Sequence, residues 1–397
     1  MGTVKRQFVI IGAGTGGITV CAMIARRMGG DKIAIIEPSE KHYYQPLWTL
    51  VSGGIVEREK SVRDQADYIP DNVEWVKDRV TEFFPDDNYV MTAGGTRVEY
   101  DYLIVAPGLQ INWNLVEGLS ETLGKNGVCS NYAFESVNYT WELEKNFKGG
   151  RAIFTMPSTP VKCAGAPQKV MYLAEEYFRM SGVRDKSEVM FVSAGGAIFG
   201  VPKYREALEK VVDSRDIKTL FKHDLVKVDG PNKKATFKNL DTGELVTMDY
   251  DMLHVTPPMG PPDFIKNSPI AAKEGGWAEA DKYTLQHPRF KNIFCLGDAS
   301  SLPTSRTGAA IRSQAPVAFD NLMRVVDGLE PTAKYDGYAS CPLITSRSRC
   351  ILAEFGYDGE VMETFPFNQA KERWSMYQLK RHFIPFMYWN FLLKGYT

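Results

Sequence analysis

The stretch FVIIGAGTGGITVCAMIARRMGGDKIAIIEP, beginning at Phe8, constrains the fold more than any other part of the chain. Phe8 to Ile11 is a short apolar run that reads as a buried strand. Gly12-Ala13-Gly14-Thr15-Gly16-Gly17 follows, and then a helical run that stops at Gly29-Gly30. A second strand, Lys32 to Ile36, ends in Glu37, twenty positions after Gly17. This is a βαβ unit with G-x-G-x-x-G at its strand-to-helix turn. Gly12 allows the tight turn, Gly14 lets a pyrophosphate approach the backbone, and Gly17 lets helix and strand pack closely. Thr15 and Gly16 open the helix, whose N–H groups and positive dipole end face the phosphates. Glu37 is placed to accept hydrogen bonds from an adenosine ribose. A glycine triplet alone is weak evidence. Strand, helix and acid in register predict an α/β fold built on a Rossmann-like unit.

At 397 residues the chain has room for two or three domains. Charged residues make up 24% and the formal net charge is −1, so no field draws it to nucleic acid. The six cysteines, at 21, 129, 163, 295, 341 and 350, contain no CxxC, and no Cys/His cluster has zinc spacing, so no metal is expected. A chain this long folds without disulfide staples, which makes any disulfide more interesting as chemistry. The first strand begins almost at once, leaving no room for a leader peptide, and no apolar run reaches the length of a transmembrane helix.

Ser187 to Val192 reads as the strand of a second βαβ unit, with its helix beginning near Pro202. Here the glycines fall at 195, 196 and 200, and Phe199 and Pro202 crowd the place of a nicotinamide nucleotide's pyrophosphate. The expectation is a second Rossmann-like domain that does not use NAD(P)H. The segment from Tyr100 to Gly108, YDYLIVAPG, resembles the motif that leads out of the first domain of two-dinucleotide-domain flavoproteins. The segment from Asn292 to Ala299, NIFCLGDA, resembles their second FAD motif, whose Asp contacts the ribityl chain. The resemblance implies a discontinuous FAD domain, residues 1–112 and 285–330. A second, degenerate domain at 113–284 and a C-terminal quinone and membrane region at 331–397 complete the division. It also implies that Gln45, Val80, Gly108, Gly297 and Asp298 join Gly12, Gly14, Thr15, Gly16, Gly17 and Glu37 in holding FAD.

Two cysteines have unusual settings. Cys163 precedes a helical run and is flanked by Lys162 and Lys169. A helix N-terminus and nearby cations both favour a thiolate. Cys341 is followed by Pro342. Taken alone, either also reads as a small buried hydrophobe, and nothing local brings the two together. The strings TPVKCAGAPQK, YDGYASCPL, EPSEKHYYQP and LHVTPPMGPPD resemble the sulfide:quinone oxidoreductases, in the branch that includes the mitochondrial enzyme. The likeness runs along essentially the whole chain. It implies that Cys163 and Cys341 form a redox disulfide, direct or sulfur-bridged, with Cys163 facing the flavin and Cys341 carrying a persulfide. Hydrogen sulfide would be the electron donor and a ubiquinone-type quinone the acceptor. Sulfite, glutathione or coenzyme A would take the sulfur, and a homodimer is possible. Cys129 is expected to be inert, although some relatives carry a functional cysteine in this region. Cys21, Cys295 and Cys350 read as packing residues.

The C-terminal run FIPFMYWNFLL, from Phe383, is too short to span a bilayer and is flanked by Lys380, Arg381, His382 and Lys394. Its composition suits an interfacial anchor and an ordinary core helix equally. The resemblance favours the anchor, at a bacterial or mitochondrial inner membrane, with the Phe and Tyr side chains lining a quinone channel. It also makes Lys380 a candidate to stabilise reduced flavin or quinol. The rival reading is a type II NADH:quinone reductase-like flavoprotein. That reading needs an intact second fingerprint and no cysteine pair.

Overall fold

The computed structural model describes residues 2–396. Strand β1 (Thr3–Ile11) leads into helix α1 (Thr15–Met28) and then β2 (Ile33–Ile36). The last four residues of β1 and all four of β2 are buried, as befits parallel strands covered on both faces. Next come β3 (Glu74–Val76), β4 (Val80–Phe84), β5 (Tyr89–Thr92) and β6 (Arg97–Val105). They join one sheet in the order β3-β2-β1-β6-β5-β4. Ile11 pairs in parallel with both Ile36 and Val105, so the loops after β1, β2 and β6 open on one edge. Helix α1 has no acid in its first turn and carries Arg26 and Arg27 in its last, so its positive dipole end is left for an anion.

A second parallel sheet comes from residues 128–254. It contains β7 (Val128–Cys129) and β8 (Gly150–Met156), then helix α2 (Ala166–Met180), and then β9 (Ser187–Ser193). Helix α3 (Pro202–Ser214), β10 (Lys218–Phe221) and β11 (Met252–His254) complete it, in the strand order β7-β11-β8-β9-β10. The chain then returns to the first sheet. β12 (Ile293–Cys295) pairs with the upper half of β6, with Cys295 beside Val105, and helix α4 (Gly308–Val326) follows. This closure places the loop after β12 on the same edge as the glycine turn.

The remaining chain is divided between the two cores rather than forming a third. β13 (Ala339–Ile344) and β14 (Cys350–Phe355) make an antiparallel hairpin. Cys341, Leu343, Ile351 and Ala353 from it enter the core around α2, whereas Ile344, Cys350 and Leu352 enter the core around α1. After α5 (Trp374–Gln378) and one π-helical turn, α6 (Ile384–Asn390) lies against the first domain. Tyr388, Trp389 and Leu393 are buried there.

Two glycines of the first turn are required by close approach. A Cβ on Gly12 would stand 2.5 Å from the Pro107 Cα, and Gly12 has φ +89°. A Cβ on Gly17 would stand 1.8 Å from the Gly12 carbonyl oxygen. Gly17→Ala should therefore push α1 off β1 and cost about 3 kcal/mol or more. Denaturant unfolding of the apoprotein measures this, and a variant as stable as wild type would show that the helix can shift without penalty.

Candidate active site

The carboxyl edge of the first sheet gathers most of the residues read as cofactor ligands. Gly12 follows β1, Glu37 follows β2, Gly108 follows β6, and Gly297 and Asp298 follow β12. Space is open where a cofactor would need it: a Cβ on Gly14 or Gly108 would meet nothing within 4 Å. The same turn is crowded behind, at Gly12 and Gly17. Gly16 is buried near Ile311 and Leu296. The Glu37 carboxylate accepts from the Ala13 N–H at 2.9 Å and the Ser39 N–H at 2.8 Å, so the acid also holds the glycine turn against β2. Gln314 accepts from the Gly297 N–H at 2.9 Å. Burial raises Asp298 above the usual carboxylate range, opposed by the nearby cations Lys162 and Arg306. Lys162 is itself pushed down to about 8 by burial. Gln45 opens a short 3-10 turn and is half-buried. Val80 packs into the core with Val9, Ile11 and Ile36, which leaves its main chain for any cofactor contact.

The two cysteines meet. Cys163 Sγ lies 3.2 Å from Cys341 Sγ, across 178 positions of sequence. Cys163 stands three residues before α2, with φ +88°, a strained value for a non-glycine residue. Cys341 comes from the middle of β13. The hairpin reaches Cys163 because position 165 is glycine: a Cβ there would stand 2.3 Å from Leu343 Cδ2 and 2.7 Å from Cys341 Sγ.

Lys169, one turn into α2 and 4% exposed, donates to Cys163 Sγ at 3.3 Å and approaches Cys341 Sγ at 3.7 Å. The hydrogen bond from Cys341, followed by the charge of Lys169, holds Cys163 well below the usual thiol range. Cys341 is driven the other way, by donating to Cys163 and by burial. Burial works against the Lys169 charge, but the sulfurs outweigh it and raise Lys169. Helix α2 has no acid in its first turn, so its dipole supports the same thiolate. The two thiols are thus pushed in opposite directions, Cys163 down and Cys341 up.

Lys380 lies within electrostatic reach of this site. It is buried, donates to the Pro46 carbonyl at 3.0 Å, and is pushed down to about 8 by burial and then by the Lys169 charge. Cys350, read as a packing residue, is buried in the hairpin, but Lys169 and Lys380 act on it too. Cys21, Cys129 and Cys295 are fully buried, and burial raises all three thiols.

Phe199 packs inward on Tyr204 and Phe355, and Gln168 donates to the Ile198 carbonyl at 2.9 Å. Ile198 and Phe199 are thus folded into the core beside α2, so Phe199 does not crowd the nucleotide place as expected, and Gly195, Gly196 and Gly200 stay exposed. The C-terminal segment differs from the expected channel lining. Tyr388 points into the first domain and hydrogen-bonds Thr15 and His42, whereas Phe383 and Phe386, each 54% exposed, and Phe391 face outward. His42 lies in EPSEKHYYQP and Tyr388 in the C-terminal run, but nothing in either segment marks the two as partners of each other or of Thr15.

Residues 6–142 match the family described as pyridine nucleotide-disulphide oxidoreductase. The chain is 50% identical, over 98% of its length and 86% of the relative's, to the mitochondrial sulfide:quinone oxidoreductase of Dictyostelium discoideum. It is 46% identical to that of Mus musculus, over 98% and 87%. The chain belongs to the sulfide:quinone oxidoreductase family. Among solved structures, the enzyme resembles the sulfide:quinone oxidoreductase of the hyperthermophilic bacterium Aquifex aeolicus, with a TM-score of 0.83 and 19% identity over 98% of this chain and 92% of that one. A chain in the mitochondrial ATP synthase of Tetrahymena thermophila superposes with a TM-score of 0.88 and 22% identity over 99% and 97%. At such identities the likeness is of fold alone. The family assignment rests on the relatives at 46–50% identity.

Replacing Lys169 by Met should raise the pH at which Cys163 becomes reactive, because the cation stabilising its thiolate is gone. The rate of alkylation of the reduced protein against pH measures this. A profile that does not move toward higher pH would remove Lys169 from the account.

Proposed function

We propose that this enzyme oxidises hydrogen sulfide with a membrane quinone, using FAD and a Cys163–Cys341 disulfide. The contact of the two sulfurs beside a buried cation carries the reading. Hydrosulfide attacks Cys341 Sγ in the oxidised pair. The S–S bond breaks, its electron pair stays on Cys163 as thiolate, and Cys341 keeps the new sulfur as a persulfide. Lys169 stabilises the departing thiolate, and no base is needed because hydrosulfide is already a nucleophile near neutral pH. A small nucleophile, namely sulfite, glutathione or coenzyme A, then takes the outer sulfur and leaves Cys341 as thiolate.

The residues at the sheet edge fit FAD rather than FMN, since the glycine turn and Glu37 together suit an adenosine diphosphate half. Gly12, Gly14, Thr15, Gly16 and Gly17 would hold the pyrophosphate, with Glu37, Gln45, Val80, Gly108, Gly297 and Asp298 around the rest. Bound there, FAD would accept two electrons as the sulfur pair re-forms and deliver them to quinone. Lys162 and Lys380 would place positive charge near the reduced group. The spacing of its glycines, at 195, 196 and 200, supports a second loop that does not take NAD(P)H.

Among the described residues, no helix is long and apolar enough to cross a membrane. Phe383, Phe386 and Phe391 project outward near Arg381 and Lys394, which supports an interfacial attachment at a mitochondrial or bacterial inner membrane. Tyr388, Trp389 and Leu393 are core residues, so cutting off residues 380–397 would damage the first domain as well.

Cys163→Ser and Cys341→Ser should each lower sulfide-dependent quinone reduction by about a thousand-fold or more with flavin content unchanged. Cys129→Ser should cost little. Rapid mixing with sulfide should bleach the flavin of the wild-type protein, and NADH should not. Near-normal turnover in either of the first two variants would rule out the disulfide mechanism. Phe383→Ser with Phe386→Ser should weaken co-sedimentation with anionic vesicles by about ten-fold or more, given the apolar area withdrawn from lipid. Undiminished sedimentation would place the membrane contact elsewhere.

A further inference from the structure

The glycine turn is tied on both sides of Gly14 by a buried chain of hydrogen bonds that runs through the C-terminal helix. His42 Nδ1 lies 3.2 Å from the Ala13 carbonyl oxygen, and His42 Nε2 lies 2.6 Å from the Tyr388 hydroxyl. That hydroxyl lies 2.9 Å from Thr15 Oγ1. His42 and Tyr388 are buried. A carbonyl can only accept, so Nδ1 carries the proton and donates to Ala13. Nε2 is then an acceptor, the Tyr388 O–H donates to it, and the Tyr388 oxygen receives the Thr15 O–H. Burial, outweighing the bonds from Gln65 and Ala13, pushes His42 down to about 4, which keeps the ring neutral and the direction of the chain fixed. The loop closes on itself, since Ala13 and Thr15 are adjacent to Gly14, the residue whose outward side is open.

We infer that His42 and Tyr388 are positioning residues for the flavin cofactor: they set the turn at Ala13-Gly14-Thr15 before the pyrophosphate arrives. The inference rests on the reading of that turn as the FAD site. The C-terminal segment makes two further bonds, Lys380 to the Pro46 carbonyl and, at the far end of α1, Arg26 to the Gly395 carbonyl. His42 adds packing, with the Trp389 ring edge-on at 5.7 Å between centroids. The segment beyond Leu379 is therefore a clasp on the cofactor site with one inward face, while its phenylalanines face out. The Thr15 proton is committed to Tyr388, so Thr15 meets the cofactor as an acceptor or as a steric wall, and the phosphates must draw their donors from main-chain N–H groups.

The test is titration of apoprotein with FAD, followed by flavin fluorescence, beside thermal unfolding of the apo and loaded forms. Tyr388→Phe keeps the ring and loses the hydroxyl, and it should bind FAD about ten-fold more weakly. Thr15→Val should weaken binding similarly, and Thr15→Ser, which keeps the hydroxyl, should restore it. The Thr15→Val/Tyr388→Phe double variant should bind no worse than the weaker single one, because both remove the same bond. The stabilisation that FAD confers should shrink in Tyr388→Phe by more than the apoprotein itself loses. The inference fails if Tyr388→Phe binds FAD within about two-fold of wild type. It fails equally if the two substitutions are additive, or if apo and loaded forms lose the same stability. Wild-type apoprotein that takes up no FAD would overturn the flavin reading and the inference with it.

Discussion

Lys169 is a cation taken out of water, and what balances it is sulfur. Its ammonium lies 3.3 Å from Cys163 and 3.7 Å from Cys341. A buried charge without a counter-charge costs several kcal/mol, and a thiolate at Cys163 would supply the counter-charge whenever the pair is reduced. The arrangement works only if both sulfurs and the ammonium occupy one small volume, and that requirement reaches far into the fold. Helix α2 must present Lys169 one turn in from Cys163, the backbone at Cys163 must take a strained left-handed conformation, and position 165 must lack a side chain. The hairpin carrying Cys341 must then lie across the start of α2. The two domains are joined through that crossing, because neighbouring residues of one hairpin enter both cores.

The first sheet answers a different demand. Its parallel strands end in register, so four loops, from Gly12 to Gly297, open on one edge. The glycines there have two distinct tasks. Gly12 and Gly17 let backbone meet backbone behind the turn, and Gly14 and Gly108 leave space in front of it. The C-terminal helix meets the turn from behind, through His42 and Tyr388. One face of that helix is core and the other is apolar surface. The proposed lipid contact and the proposed support of the cofactor turn would thus come from the same short segment.

A chain of the Tetrahymena ATP synthase shares the architecture at a TM-score of 0.88. The architecture provides an edge where a dinucleotide can bind and a second domain beside it, and nothing in that specifies sulfur chemistry. What this chain adds to that architecture is a few atoms: two sulfurs in contact and a buried ammonium beside them.

The first βαβ unit was legible from residues alone, since its strand, helix and acid are contiguous and each position has a steric reason. So was the departure of the second loop from that pattern, because its glycines fall at 195, 196 and 200. The setting of Cys163, before a helix and between lysines, could also be read locally. Its partner could not, because the contact with Cys341 spans 178 positions and was implied only by resemblance to a family. The opposite faces of α6 were decided by tertiary structure as well. The run FIPFMYWNFLL is apolar nearly throughout, so no periodic pattern divides the side that meets His42 and Thr15 from the side that meets solvent. A buried hydrogen-bond chain has no sequence signature either: His42, Tyr388 and Thr15 are common residues in unrelated segments, and only packing the C-terminal helix on the glycine turn makes them partners. Contiguous sequence determined what neighbouring residues can do to one backbone, whereas contacts between distant segments depended on how two cores and a hairpin fill space together.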